Sequence, residues 1–128
     1  MTTTTNPRSF NWTFTLNNPT PEEVTELNDA TLKGGIGTGQ FITDIVYLIY
    51  GKEHTADTEQ TPHLQGYVQF KHQKTRTSVK RFFGSKRYHL EPSKGNAQQN
   101  ITYCSKEDTQ PYIFGTPKLG KGKGKRNT

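Results

Sequence analysis

The sequence predicts an α+β domain built on a central antiparallel sheet, and three observations carry this prediction. Residues 12–16 and 63–70 alternate between apolar and polar side chains, which is the period of a strand with one buried face. Residues 45–50 form a continuous apolar run that predicts a more deeply buried strand. The stretches between these strands carry helix start and stop signals. The resulting order β-α-β-β-α-β predicts a split βαβ (ferredoxin-like) topology with helices packed on one face.

The first strand and first helix have clear boundaries in the sequence. The strand is predicted to end at Asn17, where Asn17-Asn18-Pro19 favours a turn. Thr20 is then a helix cap, because Pro21 suits the first helical position and Glu23 completes a capping box with Thr20. The helix is predicted to end at Gly34.

The second half of the chain predicts two more helices around a short strand. Residues 78–83 form a helix that packs Val79, Phe82 and Phe83 and ends at Gly84. A short strand is expected at residues 87–91. A last helix follows at residues 96–107.

The last helix places a tyrosine beside a cation. In a helix over residues 96–107, Ala97, Ile101 and Cys104 have the i, i+4, i+7 spacing of a buried stripe. Tyr103 then lies on the opposite face, together with Gln99 (i−4) and Lys106 (i+3). The phenol of Tyr103, the amide of Gln99 and the ammonium of Lys106 would therefore lie close together. Such a group of side chains suits nucleophilic attack on a phosphodiester.

A second group of side chains has the character of a metal site. His63 and Gln65 lie on one face of the predicted strand, roughly 7 Å apart along it. Glu53 ends the preceding, adjacent strand and is the candidate third ligand, with Glu59 as a rival. Imidazole, amide and carboxylate together suit Mn²⁺ or Mg²⁺. The apolar residues of the same strand are expected to face the core, and His63, Gln65, Tyr67 and Gln69 to face outward.

Positive charge is unevenly distributed along the 128 residues. The net charge is +6, and five of the 17 basic residues lie in the last eleven positions. Residues 117–128 are therefore predicted to be a disordered basic tail or linker, and residues 1–9 a flexible N-terminus, around one domain at 10–116. Residues 71–94 are also rich in Lys and Arg and are expected to flank the site and bind a phosphate backbone. The candidate DNA contacts are Lys71, Lys74, Arg76, Lys80 and Arg81, together with Gln99 on the last helix.

Several classes of protein are disfavoured by the sequence. No apolar run approaches the length of a membrane span, and the N-terminus lacks the features of a secretory signal. The sequence predicts a soluble, unsecreted protein that does not contact membranes. One cysteine, Cys104, excludes an internal disulfide and a cysteine-rich zinc site. Its position on the apolar stripe predicts a small core residue and not a nucleophile.

Three motifs, taken in order, resemble the replication-initiator (Rep) endonuclease domain of circular single-stranded DNA viruses. The likeness covers about residues 10 to 116, and the glutamine variant of the second motif, with Gln98-Gln99-Asn100 before the third, resembles circoviruses and cycloviruses. The motifs are Phe14-Thr15-Leu16-Asn17-Asn18, His63-Leu64-Gln65-Gly66-Tyr67 and Tyr103-Cys104-Ser105-Lys106.

The resemblance implies an HUH-type nuclease that uses a divalent cation. It implies that Tyr103 is the nucleophile, that His63, Gln65 and Glu53 hold the ion, and that Lys106 either neutralises the phosphate or aids proton transfer. It also implies DNA contacts at Asn17 and Asn18. The expected substrate is the single-stranded DNA of a viral origin stem-loop, which is nicked and later rejoined. A helicase domain C-terminal to this sequence, a monomeric isolated domain and a location in the host nucleus are further expectations.

Two other functions are compatible with parts of the sequence. A noncatalytic nucleic-acid-binding module of RNA-recognition type would display Tyr47 and Tyr67 on the open sheet for stacking with bases. It would need the ring of Tyr103 but not its hydroxyl. A structural or capsid-type protein would depend on the basic tail, and the ordered motifs in the body argue against it.

Overall fold

Five strands and three helices make up the part of the chain that the computed structural model describes, residues 7–35, 43–53 and 62–119. All strand pairings are antiparallel, in the order β4-β1-β3-β2-β5, which confirms the predicted α+β class. Among the helices in these ranges, none is long and apolar enough to cross a membrane. The elements are β1 (Arg8–Asn17), α1 (Pro21–Lys33), β2 (Ile45–Glu53), β3 (His63–Thr75), α2 (Arg76–Phe83), β4 (His89–Pro92), α3 (Ala97–Cys104) and β5 (Tyr112–Gly115).

The central strands are longer than their hydrophobic alternation predicts. β1 begins at Arg8, which pairs with Thr75 at the far end of β3. Part of the stretch 1–9, predicted to be flexible, is therefore hydrogen-bonded into the sheet, because β3 continues five residues beyond residue 70 and offers it a partner. β5 was not predicted; it pairs with β2 and covers that edge of the sheet.

The helix caps lie where the sequence places them. The Thr20 side chain accepts from the backbone N–H of Glu23, whose carboxylate accepts from the N–H of Thr20, so the predicted capping box is confirmed. Gly34 ends α1 in the left-handed conformation, with φ of 80°. α2 begins two residues earlier than predicted because Thr75 caps it by accepting from the N–H of Ser78. It ends before Gly84, as predicted.

The sheet has a hydrophobic core on each face. α1 and α2 cover one face, where Leu27, Val79 and Phe82 pack against Trp12 and Phe14 among others. The tyrosine helix α3 packs on the opposite face, and its core is smaller. That second cluster consists of Tyr47, Ile49, Tyr67, Ala97 and Cys104, with Val46 and Ile101 at its edge.

The second core corrects one expectation about β3. His63 and Gln65 are partly exposed, but Tyr67 and Gln69 are only 1% and 3% exposed, so they do not face solvent as predicted. The Gln69 amide donates to the Tyr67 hydroxyl at 3.0 Å and to the Lys118 carbonyl at 2.8 Å, and its oxygen accepts from the N–H of Lys118 at 2.7 Å. Strand alternation distinguishes two faces, but it does not tell which of them a later helix covers.

Candidate active site

Tyr103 is presented to solvent by α3. Ala97 and Cys104 are buried against the sheet, whereas Tyr103 is 51% exposed, so the predicted orientation of the helix is confirmed. The helix is shorter than the predicted 96–107. Asn96 caps its start, and the last turn tightens after Cys104, where the N–H of Lys106 bonds to the carbonyl of Tyr103. Lys106 therefore follows the helix in a turn rather than lying on it.

His63 and Glu53 face each other across two adjacent strands. They are direct partners in the β2–β3 register, and side chains at such positions lie within contact distance. Nε2 of His63 is 3.0 Å from Oε1 of Glu53. Glu53 is only 3% exposed, although it ends a strand. Burying a carboxylate costs free energy unless a partner or a cation compensates its charge. A positive charge is therefore expected next to Glu53.

Lys106 supplies a positive charge to the same carboxylate. Its Nζ lies 2.8 Å from Oε2 of Glu53 and 4.5 Å from the centroid of the Tyr103 ring. Burial disfavours the charged ammonium, but the contact with Glu53 outweighs it, and Tyr103 and Glu107 add smaller effects. The pKa of Lys106 is consequently raised. Lys106 joins the tyrosine to the His63–Glu53 pair in one site.

Gln65 completes the group of polar side chains on this face. It is on the same face of β3 as His63, and its Oε1 accepts from the Thr15 hydroxyl of β1 at 3.3 Å. Within the described ranges no three His, Cys, Asp or Glu side chains cluster closely enough to hold a metal ion. An ion at His63 and Glu53 would need the Gln65 amide as its third protein ligand. Glu59, the rival ligand, lies outside the described residues.

The donors present fit a hard divalent cation. Oε2 of Glu53 is buried, and the Lys106 ammonium compensates its charge at 2.8 Å. A carboxylate oxygen, an amide oxygen and an imidazole nitrogen form a mixed set suited to Mn²⁺ or Mg²⁺.

A shallow groove runs beside the tyrosine. Its volume is about 420 Å³, and it is lined by Gln98, Gln99, Thr102, Tyr103 and Lys106. Gln99 is on the predicted face, but its side chain also caps α3, because Oε1 accepts from the N–H of Asn96 at 2.9 Å. Gln99 therefore shapes the groove and holds the start of the tyrosine helix.

Asn17 and Asn18 lie at the same end of the sheet as His63. Asn17 pairs with His63 in the β1–β3 register, and the N–H of Asn18 donates to the Pro62 carbonyl at 2.8 Å. Both asparagines are exposed, and Asn18 has a positive φ of 49°. The structure thus brings the first motif beside the second.

Arg87 is a residue of this region that the sequence did not single out. Its guanidinium donates to both carboxylate oxygens of Glu23, at 2.6 and 2.9 Å. It also donates to the backbone carbonyls of Asn17 and Asn18, at 2.7 and 3.0 Å. β4 begins at His89, which pairs with Thr15, and not at the predicted residue 87. No local sequence pattern predicts these contacts, because the partners of Arg87 are 64 to 70 positions away in the chain.

The predicted basic contacts are not gathered around the tyrosine. Lys71 is eight residues along β3 from His63, a separation of about 26 Å in a strand. Lys74 pairs with Asp44, and Arg76 lies over the Trp12 ring at 5.7 Å. Lys80 and Arg81 are exposed on α2, which packs on the face opposite α3. Sequence proximity grouped these cations, but the fold distributes them over a distant end and the opposite side of the sheet.

The aromatic residues expected of an RNA-recognition module are not displayed. Tyr47 and Tyr67 are 3% and 1% exposed beneath α3. Burial raises the pKa of Tyr47 to about 12, with smaller contributions from Cys104 and Tyr67. Neither ring can stack on a base while α3 is in place, which removes the main argument for a noncatalytic module.

The fold, the three ordered motifs and the tyrosine beside the His63–Glu53 pair define a viral replication protein domain. Residues 9–107 match the family described as "Putative viral replication protein", and the chain belongs to this family.

Individual relatives are consistent with this assignment. The replication-associated protein of pigeon circovirus is 38% identical over 109 residues, 85% of this chain and 30% of the relative. That of porcine circovirus 1 is 37% identical over 116 residues, 91% of this chain and 32% of the relative. The master replication protein of banana bunchy top virus is 35% identical over 111 residues, 84% of this chain and 32% of the relative. The chain thus spans about a third of the length of these proteins.

Proposed function

We propose that this domain initiates viral DNA replication by nicking and rejoining single-stranded DNA through a covalent tyrosine intermediate. The observation that carries the proposal is the position of Tyr103, exposed on α3 and linked through Lys106 to the buried Glu53 and its partner His63. Membership of the family and the names of the relatives, replication-associated and master replication proteins, support a role in replication.

Tyr103 acts as the nucleophile in this proposal. Its hydroxyl oxygen attacks the phosphorus of the scissile phosphodiester and loses its proton as the bond forms. The bond from phosphorus to the 3′ oxygen breaks, and that oxygen leaves as a hydroxyl after gaining a proton. The products are a 5′-phosphotyrosine and a free 3′-OH. Because one phosphate ester replaces another, a 3′-OH can attack the phosphotyrosine and restore the DNA strand.

His63, Gln65 and Glu53 are the proposed ligands of Mn²⁺ or Mg²⁺. When bound, such an ion polarises the scissile phosphate and stabilises the negative charge that develops in the transition state. Lys106 lies between this position and the tyrosine ring. Its ammonium can neutralise the phosphate or give a proton to the leaving 3′ oxygen.

Single-stranded DNA of an origin stem-loop is the proposed substrate. The groove beside Tyr103 is open enough for an extended strand, and Asn17 and Asn18 are exposed next to His63. The remaining two thirds of the relatives' length is consistent with a further domain, for which we propose the helicase. We place this activity in the host nucleus.

The proposal is tested by trapping the covalent intermediate. The protein is incubated with Mn²⁺ and a single-stranded oligonucleotide that carries a circovirus-type origin loop, and the products are separated on a denaturing gel. A protein–DNA adduct is expected with the natural sequence and none with Tyr103→Phe, because the phenol oxygen is the attacking atom.

Two controls make the result specific. Tyr103→Phe should still bind the oligonucleotide, since the ring remains in the groove. Glu53→Gln, in contrast, should lower the adduct rate by about a hundredfold or more, because it removes the only carboxylate of the proposed ion site. An adduct of undiminished yield in Tyr103→Phe would exclude the tyrosine mechanism, and tight binding without any adduct would favour the noncatalytic module.

A further inference from the structure

Two cations can bind the Glu53 carboxylate in the proposed reaction, the Lys106 ammonium and the divalent ion. Its Oε2 is already paired with the Lys106 ammonium at 2.8 Å, while its Oε1 contacts Nε2 of His63 at 3.0 Å. A divalent cation would need the same carboxylate and the same imidazole. The site as it stands is therefore charge-compensated by Lys106.

We propose that Lys106 occupies the cation position of Glu53 in the ion-free protein and leaves it when a divalent cation binds. The released ammonium then faces the substrate phosphate beside Tyr103. This inference rests on the proposed function, because it takes Glu53 and His63 as ligands of the ion.

The charge of Glu53 makes Lys106 and the ion competitors. Glu53 is 3% exposed, so the carboxylate needs a nearby positive charge in every state of the site. A divalent cation supplies this charge, and a second cation on the same carboxylate would then be repelled. Lys106 and the ion consequently compete, and linkage requires that each weakens the binding of the other.

The Lys106 side chain is free to move away from Glu53 without a change in the helix. Lys106 lies in the turn after α3, and its side chain is 38% exposed. The long side chain can therefore rotate away without disturbing α3, whose position depends on Ala97 and Cys104.

The released Lys106 ammonium stays in the groove beside Tyr103. It already lies 4.5 Å from the Tyr103 ring centroid, and Lys106 lines the same groove as Gln98, Gln99 and Thr102. A small rotation of the Lys106 side chain keeps the ammonium in this groove, beside the Tyr103 ring. When the ion binds, the Lys106 ammonium is released from Glu53 and becomes available to neutralise the substrate phosphate.

The direct experiment observes the Lys106 ammonium by NMR in the natural sequence, during a titration with Mg²⁺ alone. The ¹⁵Nζ resonance of an ion-paired lysine is visible at low temperature because its protons exchange slowly. We expect the Lys106 signal to shift and broaden at the Mg²⁺ concentration at which the His63 ring signals shift. The ion-paired Lys74, whose partner Asp44 lies at the other end of the sheet from Glu53, should keep its signal unchanged.

A second measurement compares Mn²⁺ affinities by calorimetry without DNA. Lys106→Met should bind Mn²⁺ about tenfold more tightly than the natural sequence, because the competing cation is gone. Lys52→Met removes the same charge one residue from Glu53 and is the matched control, with an expected change of about twofold or less.

The outcomes separate this inference from the proposed function. If Mg²⁺ shifts His63 but leaves Lys106 unchanged, or if the two methionine variants gain the same affinity, the exchange is wrong while the ion site stands. If neither Mg²⁺ nor Mn²⁺ binds at His63, the ion site and the exchange are both overturned.

Discussion

Gly51 shows how closely the tyrosine helix approaches the sheet. A Cβ at this position would lie 2.1 Å from the carbonyl oxygen of Cys104, a backbone atom that cannot rotate away. Gly51→Ala should therefore push the end of α3 outward and lower the free energy of unfolding by about 1–3 kcal/mol. Urea unfolding monitored by circular dichroism measures this loss, and adduct formation by Tyr103 should fall with it.

The neighbouring Lys52 provides the control for Gly51. It is exposed, and Lys52→Ala should change the stability by less than about 0.5 kcal/mol. Equal stability of Gly51→Ala and Lys52→Ala would mean that the helix does not depend on this close approach.

Arg87 acts on the site through other residues, as a positioning residue. Its guanidinium holds the carbonyls of Asn17 and Asn18 and both oxygens of Glu23. Lysine cannot reproduce this forked arrangement. We therefore expect Arg87→Lys to retain the fold, to shift the amide resonances of Asn17 and Asn18, and to lower the rate of adduct formation by roughly tenfold.

The effect of Arg87 should be separable from a general loss of charge. Lys86 is exposed and adjacent, and Lys86→Ala should leave both the asparagine resonances and the adduct rate nearly unchanged. If Lys86→Ala slows the reaction as much as Arg87→Lys does, the guanidinium contributes only net charge and does not position the asparagines.

At the level of elements, α3 is where the sequence was most informative. The spacing of Ala97 and Cys104 predicted the buried side of the helix. The predicted position of Tyr103 on the opposite side is confirmed. The same reasoning could not choose the side of the sheet on which the helix packs, because periodicity describes an element and not its neighbour. The burial of Tyr67 and Gln69 followed from that choice and was missed.

The packing of α3 can be measured through its cysteine. Cys104 is 1% exposed, and burial, with a smaller effect of the Glu53 charge, raises the pKa of its thiol to about 12. The thiolate is the reactive form, so iodoacetamide should alkylate the folded protein very slowly at mildly alkaline pH. In urea the reaction should proceed at the rate of an unstructured cysteine.

Gly51→Ala offers a comparison for the cysteine experiment. If α3 is displaced, Cys104 should become reactive under native conditions in this variant, while Lys52→Ala should resemble the natural sequence. Rapid alkylation of the natural, folded protein would show that α3 opens readily and that the second core is weak.

At the level of the whole molecule, the sequence identified the three motifs, and the fold brings the first two together at one end of the sheet. His63, Glu53 and Asn17 meet there because β1, β2 and β3 are antiparallel neighbours. The basic residues of 71–94 could not be located in the same way, since they lie at the end of β3, on α2 and in the connections before and after β4. A linear run of charge becomes a surface only when its elements lie side by side.

Acid unfolding should reveal how the ion pair of Glu23 contributes to global stability. The side-chain contact with Arg87, followed by the backbone contact with Thr20, lowers the pKa of Glu23 from 4.5 to about 2. The folded state thus binds this proton less tightly than the unfolded state does. The contribution of Glu23 is fully present above about pH 4.5 and is lost as the pH falls towards 2.

Glu23→Gln isolates this contribution, because glutamine keeps the shape of the side chain but cannot titrate. The variant should be less stable than the natural sequence at neutral pH, and the difference should shrink as the pH falls through the interval from 4.5 to 2, measured as the urea midpoint at each pH. Glu22, exposed in the same first turn of α1, gives the control variant Glu22→Gln. A pH-independent difference for Glu23→Gln would mean that the variant loses packing or the helix cap. A difference that disappears in acid would show that the charge of Glu23, paired with Arg87, stabilises the folded domain.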